Sequence, residues 1–500
     1  MKLNELLSGV GVEPAPTPKH KVEVTGVAQD SRAVKPGDLF VALPGTKADG
    51  TQFVAEAVQK GAVAVLTEKQ IEPLGKVPIF HATSARKALA LIAANFYGKP
   101  ADELTLLAIT GTNGKTTTSY LLESICAAGG ASTGLLGTIE YRFGGKVLPA
   151  PHTTPDALTL HRMFREMVDA GTDTVVMEVS SHALAQDRVY GLTFRAAAFT
   201  NLTRDHLDYH KDLEEYFQVK RRLFVENLSP GGVAVVSGED TYAGRIYNEL
   251  RNSKRMAWKF SRLGNGEISA AAVELTTKGI KATLKTPAGD IPVHSQLVGA
   301  HNLDNILAAA GLALSAGYSR RDVQDGVERV TRVPGRMEAF HGKELAVLVD
   351  YAHTDDALRR ALESARGLTK GRVLVVFGCG GDRDAGKRPL MGQAAGEGAD
   401  VPIVTSDNPR SEDPDDIITQ ILPGLEKAGL RRMSAAKARS GEKGYLVEPD
   451  RAEAIELAVS LAKPGEVVLI AGKGHETYQQ VEGEKLPFDD REQARKALGG

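Results

Sequence analysis

The chain is poor in cysteine and has no long apolar run. Its two cysteines, Cys126 and Cys379 in 500 residues, fit neither a disulfide framework nor a metal-binding spacing. No stretch approaches the roughly 20 apolar residues that a membrane-spanning helix needs. The opening residues MKLNELLSGVGVEP lack the continuous apolar segment of a signal peptide. An excess of one charge is missing too. The 61 Lys and Arg against 63 Asp and Glu leave a formal net charge of −2, so no global field gathers nucleic acid or an acidic membrane. An anionic substrate has to be held by local Arg, Lys and backbone donors. Short-period repeats and low-complexity segments are also absent. A reducing cytoplasm is the expected compartment, with no nucleic-acid partner and no membrane span. What is present, 42% hydrophobic and 25% charged residues, is the composition of a soluble globular protein. Its length exceeds one ordinary core and predicts roughly three domains.

The most informative stretch is LTLLAITGTNGKTTT, Leu104 to Thr118. An apolar run enters a Gly-rich turn, then Lys and three Thr, then a helical pattern. Successive N–H groups in such a loop converge on phosphate oxygens, and the following helix N-terminus adds partial positive charge. The full G-x-x-x-x-G-K-[ST] pattern is not met, because position 109 is Ile109. The shorter G-x-x-G-K-T from Gly111 is present. It predicts phosphate contacts from Gly111, Thr112, Asn113, Gly114, Lys115, Thr116 and Thr117, with Lys115 at the terminal phosphates and the Thr116 hydroxyl available to Mg²⁺. Cys126 falls in the apolar stripe of the following helix, a core position.

Before this loop, LFVALPG, AVAVLTE and the helical ARKALALIAANFYG predict a small α/β unit over residues 1–100. A second unit, 101–333, continues through TVVMEVS, AAAFTNL and VAVVSGE. The shorter alternating runs from EISAAAVEL to IPVHSQL predict added antiparallel strands, and NLDNILAAAGLALSAG predicts a helix. After Val333-Pro334-Gly335 a third unit, 334–500, carries LAVLVDYAH, RVLVVFGCGGDRD, VPIVTSDNPR and EVVLIAGKGHE. Continuous apolar runs read as buried parallel strands. Ligands of open parallel sheets sit beyond the carboxyl ends of the strands, so the four polar tails are expected to face one crevice.

With DSRAVKPGDLFVAL (30–43), GTNGKTTT (111–118), HTTP (152–155), MEVSSHAL (177–184), TNLTRDHLDYH (200–210), EYFQVKRRLF (215–224), GAHNLDNILAA (299–309), PGRME (334–338), DYAHT (350–354), GCGGDRDAGKRPLM (378–391), SDNPRSEDP (406–414) and GKGHE (472–476) in this order, the chain resembles the Mur ligases along nearly its whole length. Within that family it is most similar to the members that add the third amino acid. The resemblance implies an α/β protein of three domains: a UDP-substrate-binding domain, a central P-loop ATPase, and a C-terminal Rossmann-like domain. It further implies ATP-dependent ligation of an amino acid to UDP-N-acetylmuramoyl-L-alanyl-D-glutamate through an acyl phosphate, in peptidoglycan precursor synthesis, by a monomer. Asp407-Asn408-Pro409-Arg410 resembles the motif of enzymes that take meso-diaminopimelate, whose second carboxylate suits a guanidinium fork. Lysine lacks that carboxylate and would leave Arg410 unpaired. The alternatives are the same ligase using L-lysine, a folylpolyglutamate synthetase, which lacks a dedicated UDP-sugar domain, and a non-catalytic nucleotide-binding scaffold. The presence of Lys115, Glu178 and Lys220 argues against the last.

By the same resemblance, Lys115, Glu178, His206 and Lys220 form the catalytic centre. Thr116, Glu178, His206 and a carbamylated Lys220 are its metal ligands. Carbamylation needs a neutral amine, so a depressed pKa at Lys220 would help. Ser31, Thr46, Lys47, Thr153, Thr154, Ser180, Gln186 and Arg188 match the UDP-substrate contacts, and Asn302, Arg336 and Asp350 match contacts to adenine, phosphate and ribose. Arg383, Gly472 and Glu476 join Asp407, Asn408, Pro409 and Arg410 around the amino acid, Glu476 facing its far ammonium. His353 falls near the reacting groups. Two departures stand out. Asp355 replaces the Pro of the usual DYAHTP, which predicts a changed loop with activity retained. His152 replaces the Asn usual before TTP, which puts one substrate hydrogen bond in doubt.

Overall fold

The short continuous apolar runs become strands largely closed off from water, and these strands build three sheets. The computed structural model describes residues 1–15, 22–45, 49–207, 209–342 and 345–499. The first sheet has the order Val12–Glu13, Ile79–Ala82, Ala64–Thr67, Asp38–Ala42, Gly26–Ala28. Only the Val12–Glu13 edge is antiparallel. The predicted helix forms at Ala85–Phe96, capped by Ser84, whose side chain accepts from Lys87 N, and it buries Leu89 and Ile92 in the first core.

The central sheet has 11 strands. From Thr133–Leu136 through Thr174–Glu178, Thr105–Thr110, Phe194–Phe199, Leu228–Ser237 and Met256–Ser261 to Ile268–Thr276 its strands run parallel. Antiparallel strands extend both edges, Gly279–Lys285 and Ile291–Ser295 on one side, Glu140–Phe143 and Lys146–Pro149 on the other. Helices Lys115–Ala128 and Ala300–Ala316 cover one face and contribute Leu121, Ile125, Ile306 and Leu307 to its core, with Cys126 beside them. Helices Ala157–Asp169 and Leu213–Val225 cover the other face with Phe164 and Phe224.

The C-terminal sheet has the order Glu338–His341, Ala346–Asp350, Val467–Ala471, Val373–Phe377, Val401–Val404, Leu446–Val447. Its first pair is antiparallel and the rest are parallel. All four runs read as parallel strands are therefore parallel, and their polar tails leave one end of the sheet. Helix Asp355–Gly367 starts there. Thr354 caps it by accepting from Ala357 N, and Asp355 is its first residue. An acidic side chain suits that end of the helix dipole, so replacement of Pro by Asp keeps a sound helix start. Cys379 is buried and unpaired, as is Cys126. Among the described residues no helix is long and apolar enough to cross a membrane.

The helix that begins at Lys115 is fixed from behind by helix Arg320–Arg329. Gly326 lets the two backbones touch: a Cβ there would overlap the Ile125 backbone, and Ser124 Oγ donates to Gly326 O at 2.8 Å. Gly326→Ala is expected to destabilise the protein by about 1–3 kcal/mol through overpacking, seen as a lowered midpoint in calorimetric or denaturant unfolding.

Candidate active site

Strand Thr105–Thr110 lies inside the central sheet, so the loop at its carboxyl end opens between two flanking strands. Its shape needs glycine. Gly111 has φ 139° and Gly114 φ 86°, and Cβ atoms there would run into Thr200 and Asn305. Asn113 N donates to Asn201 Oδ1 at 3.0 Å, and Thr200 Oγ1 donates to Asn113 O at 2.6 Å. The loop is therefore pinned before any ligand arrives. Lys115 is the first helical residue, and its Nζ donates to Gly111 O at 3.1 Å and Thr112 O at 2.7 Å.

Lys220 comes to the same carbonyl from helix Leu213–Val225. It is 1% exposed, donates from Nζ to Gly111 O at 2.9 Å, and lies 4.7 Å from the Tyr216 ring centre. Burial pulls its pKa well below the ordinary lysine value, and the Lys115 ammonium pulls the same way against Asp205. The sequence carried no sign of this depression. Burial also lowers Lys115, with Glu178 and Asp205 opposing. His206 has left-handed backbone, φ 54°, and its Nε2 sits 3.5 Å from Asp205 Oδ2. Loss of water on its packed side, with Lys115, His182 and Lys220 adding, lowers His206 to about 4 against the pull of Asp205.

Glu178 ends its strand fully buried. Thr138 holds both carboxylate oxygens, through N at 3.0 Å and Oγ1 at 2.9 Å. Thr138 also meets Thr153 Oγ1 at 3.1 Å. Thr154 Oγ1 donates to Glu178 O at 2.9 Å and accepts from Ser180 N at 3.1 Å. Thr153, Thr154 and Ser180 are thus brought to Glu178. Arg188 reaches the same loop, donating to Thr154 O at 2.6 Å, while Gln186 Oε1 accepts from Arg188 at 2.8 Å. Gln186 and Arg188 line a cavity of about 210 Å³ that Gln29 and Arg86 close from the N-terminal unit. Ser31 is not among its lining residues; it is buried and donates to Glu56 Oε2 at 3.1 Å. Thr46 and Lys47 lie outside the described residues. The backbone carbonyl of His152 accepts from Tyr141 OH.

A cleft of about 500 Å³ separates the phosphate loop from the C-terminal unit, and Thr117, Arg336, Asp350 and His353 all line it. Arg336 Nη2 donates to Thr116 Oγ1 at 3.4 Å, and its guanidinium packs 4.8 Å from the Tyr351 ring. Asp350 accepts from Met337 N at 2.8 Å and Ala352 N at 2.9 Å, and burial raises its pKa against Arg336. Asn302 is not brought to the cleft. Its side chain is fully buried, donating to Val298 O at 2.8 Å and accepting from Asn305 at 2.9 Å. The residues of that helix that line the cleft are His301, Asp304 and Asn305. They lie one to three positions from Asn302, and the helical turn decides which side chains face out.

The amino-acid residues gather where the C-terminal strands end. Asn408 Nδ2 donates to Glu476 Oε2 at 2.9 Å, and Gly381 N donates to Asn408 O at 2.9 Å. Arg410, with φ 56°, donates from Nη1 to Gly381 O at 2.6 Å. Its backbone pairs with Gln480 O at 2.9 Å and Glu482 N at 2.6 Å on the hairpin Tyr478–Val481, Glu484–Pro487. Pro409 is buried between these contacts. Gly472, φ 124°, passes close to Asp407. Arg383 is exposed and, among the described residues, donates to Asp382 O at 3.3 Å. Tyr351 lines the cleft, and its ring lies 5.1 Å from that of His475 in the turn that follows the last parallel strand. Sequence reasoning passed over Lys473 and Thr138. Lys473 lay in plain view inside GKGHE, whereas nothing in the sequence around Thr138 announced a partner for Glu178.

Three family descriptions fit consecutive stretches of the chain: "Mur ligase family, catalytic domain" over residues 23–97, "Mur ligase middle domain" over 109–313, and "Mur ligase, glutamate ligase domain" over 335–474. A UDP-N-acetylmuramoyl-L-alanyl-D-glutamate--2,6-diaminopimelate ligase from Geobacter sulfurreducens is 46% identical over 480 residues, 94% of each chain. The protein of the same name from Solibacter usitatus is 45% identical over 503 residues, covering 100% of this chain and 99% of its own. The chain belongs to the Mur ligase family. A solved structure bearing that ligase name matches this Mur ligase at 34% identity and a TM-score of 0.69, over 95% of both chains. MurF from Acinetobacter baumannii shares the fold at 19% identity and a TM-score of 0.64, covering 99% of this chain and 98% of its own. Folylpolyglutamate synthase from Mycobacterium tuberculosis shares it at 18% identity and 0.62, covering 77% of this Mur ligase and 92% of its own chain.

Lys115→Ala is expected to leave a folded protein, because Thr200, Asn201 and the two glycines still shape the loop. Turnover should fall by about 10²–10³, the usual cost of losing one aligned donor at developing negative charge. Steady-state ADP release, with a thermal melt as control, checks both.

Proposed function

We propose that this Mur ligase joins meso-2,6-diaminopimelate to UDP-N-acetylmuramoyl-L-alanyl-D-glutamate at the expense of ATP, as a cytoplasmic monomer in peptidoglycan precursor synthesis. Residues 1–100 form the UDP-substrate-binding domain, 101–333 the ATP-binding domain and 334–500 the amino-acid-binding domain, with the UDP-substrate bridging the first two and ATP the last two. The observation that carries this reading is the cluster of Asp407, Asn408, Arg410 and Glu476 beyond the C-terminal strands, whose Asp407 and Glu476 carboxylates lie close enough to Tyr351, a residue of the cleft wall, to act on its phenol. It sets a site for a dicarboxylic amino acid beside a nucleotide site.

In this reading the D-glutamate γ-carboxylate attacks the ATP γ-phosphate and ADP leaves. An amine of diaminopimelate then attacks the acyl phosphate, forming the C–N bond as phosphate departs. The first step presses an anion against a polyanion, so the protein's work is positioning and positive charge. Gly111 to Thr117 cradle the phosphates with their N–H groups. Lys115 and Arg336 approach from two domains, and Arg336 already touches Thr116. Thr153, Thr154, Ser180, Gln186 and Arg188 hold the peptide end of the UDP-substrate, Ser31, Thr46 and Lys47 its uridine diphosphate. Asp350 takes the ribose, and His301, Asp304 and Asn305 surround the base. His353 faces the reacting groups from the C-terminal wall of the cleft.

The reading implies Mg²⁺. The donors present fit it: the Thr116 hydroxyl and the buried Glu178 carboxylate are hard oxygens, and Mg²⁺ commonly takes only one or two protein carboxylates beside phosphate and water. Thr116, Glu178 and carbamylated Lys220 would hold it, with His206 beside a second ion. When bound, Mg²⁺ supplies positive charge at the phosphates. Carbamylation forms an N–C bond between a neutral Lys220 amine and CO₂ and releases a proton. The two amines sharing Gly111 O favour that neutral state. With ¹³C-bicarbonate, wild type is expected to give a carbamate carbonyl resonance that Lys220→Ala lacks, and the variant should be nearly inactive and partly rescued by short carboxylic acids. A fully active enzyme without the resonance would refute carbamylation.

Amino-acid-dependent phosphate release, with diaminopimelate and lysine side by side, tests the reading itself. Diaminopimelate should be turned over and lysine should be poor. Arg410→Ala should raise the KM for diaminopimelate roughly tenfold to a few hundredfold, from about 1.5–3 kcal/mol for a hydrogen bond to charge at 1.4 kcal/mol per decade. The KM for ATP should stay near wild type. Equal use of lysine, or an unchanged diaminopimelate KM in the variant, would overturn the assignment.

A further inference from the structure

Beneath the amino-acid pocket lies a charged group that the proposed reaction leaves unused. Lys473 is 0% exposed. An ammonium is costly to bury unless its donors are met by acceptors and its charge is balanced. Here Nζ donates to Asn408 Oδ1 at 3.0 Å and Glu476 Oε2 at 3.1 Å, and it sits 3.7 Å from Asp407 Oδ1. Asp407 and Glu476 balance the charge, and all three partners are residues of the amino-acid pocket.

The contacts dictate what the pocket can show a ligand. Asn408 Oδ1 accepts a second bond from Gln480 N at 2.8 Å, which fills both lone pairs of that oxygen. An ammonium only donates, so the amide cannot turn end for end while Lys473 faces it. Its Nδ2 must then point the other way, where one N–H donates to Glu476 Oε2 at 2.9 Å. Glu476 Oε2 is thereby taken up by two donors. Among the described residues no hydrogen bond reaches Glu476 Oε1, and none uses the second N–H of Asn408. One acceptor of negative charge and one donor are left, side by side. An α-amino acid centre carries the complementary pair, an ammonium and a carboxylate.

We infer that Lys473 is a positioning residue for the amino-acid substrate, locking Asn408 and Glu476 so that the pocket reads an ammonium and a carboxylate on one carbon. The inference rests on the function proposed above and adds to it a determinant of amine recognition. Lys473 acts through its neighbours and does not itself touch the substrate.

The test compares wild type with Lys473→Met, an uncharged side chain of similar length, on two substrates: meso-diaminopimelate and 2-aminopimelate, the same dicarboxylate lacking one amine. Lys473→Met is expected to raise the KM for diaminopimelate by at least about tenfold and to cut the preference for it over 2-aminopimelate, in kcat/KM, by a similar factor, while the ATP KM moves less than about threefold. A merely structural role would slow both substrates alike and leave that ratio unchanged. Should Lys473→Met fail to fold, the ratio is compared between Asp407→Asn and Asp407→Asn/Lys473→Met, which removes the buried cation together with a neighbouring carboxylate. An unchanged ratio in a folded variant overturns the inference and leaves the proposed function standing. Wild type that does not use diaminopimelate overturns the proposed function instead.

Discussion

The sharing of one backbone carbonyl by two lysines organises the centre of this molecule. Gly111 O receives Lys115 at 3.1 Å and Lys220 at 2.9 Å. Two ammonium ions at one acceptor repel each other, and in a dry site the repulsion is weakly screened. The arrangement is tolerable when one of them gives up its charge: burial lowers both, Glu178 and Asp205 hold Lys115 up, and Lys220, with Asp205 opposing and the Tyr216 ring beside it, falls well below the ordinary lysine value. A glycine at 111 is what makes the carbonyl available: φ 139° turns it toward both amines in a place where a Cβ would meet Thr200.

Around that point the architecture is one idea used twice. Two parallel sheets each deliver polar tails at their carboxyl ends, as open α/β sheets do, and the cleft runs between the phosphate loop of one and the Asp350–Thr354 tail of the other. The central sheet contributes the phosphate loop and Glu178. The C-terminal sheet contributes Asp350, the Asp407–Arg410 loop and the Gly472–Glu476 turn. Antiparallel additions lengthen the central sheet at both edges without disturbing the parallel middle that carries the loop.

Much of this could be read from the residues. The apolar runs became parallel strands, the alternating runs became an antiparallel edge except that the first, Ile268–Thr276, pairs parallel on its inner side, and the Gly-rich stretch after Leu107 and Ile109 became a strand–loop–helix turn. These features depend on local patterning and backbone chemistry, which a sequence displays directly. What could not be read depends on distant chain segments meeting. The depressed Lys220 amine comes from burial beneath distant segments and, second, from Lys115, 105 positions away in sequence, and the tie from Thr138 to Glu178 joins two strand ends. The burial of Asn302 was hidden for a related reason: a helix facing two environments assigns adjacent residues to core and cleft, and only the packed helix reveals the split.

The linker between the central and C-terminal units also has electrical consequences. Arg336 belongs to the segment that joins the two, yet its guanidinium touches Thr116. A swing that widens the cleft must carry this cation away from the phosphate loop, so mechanical opening and electrostatic disarming are a single coordinate. An enzyme wired this way holds its full positive field only when its walls are together and bulk water is displaced.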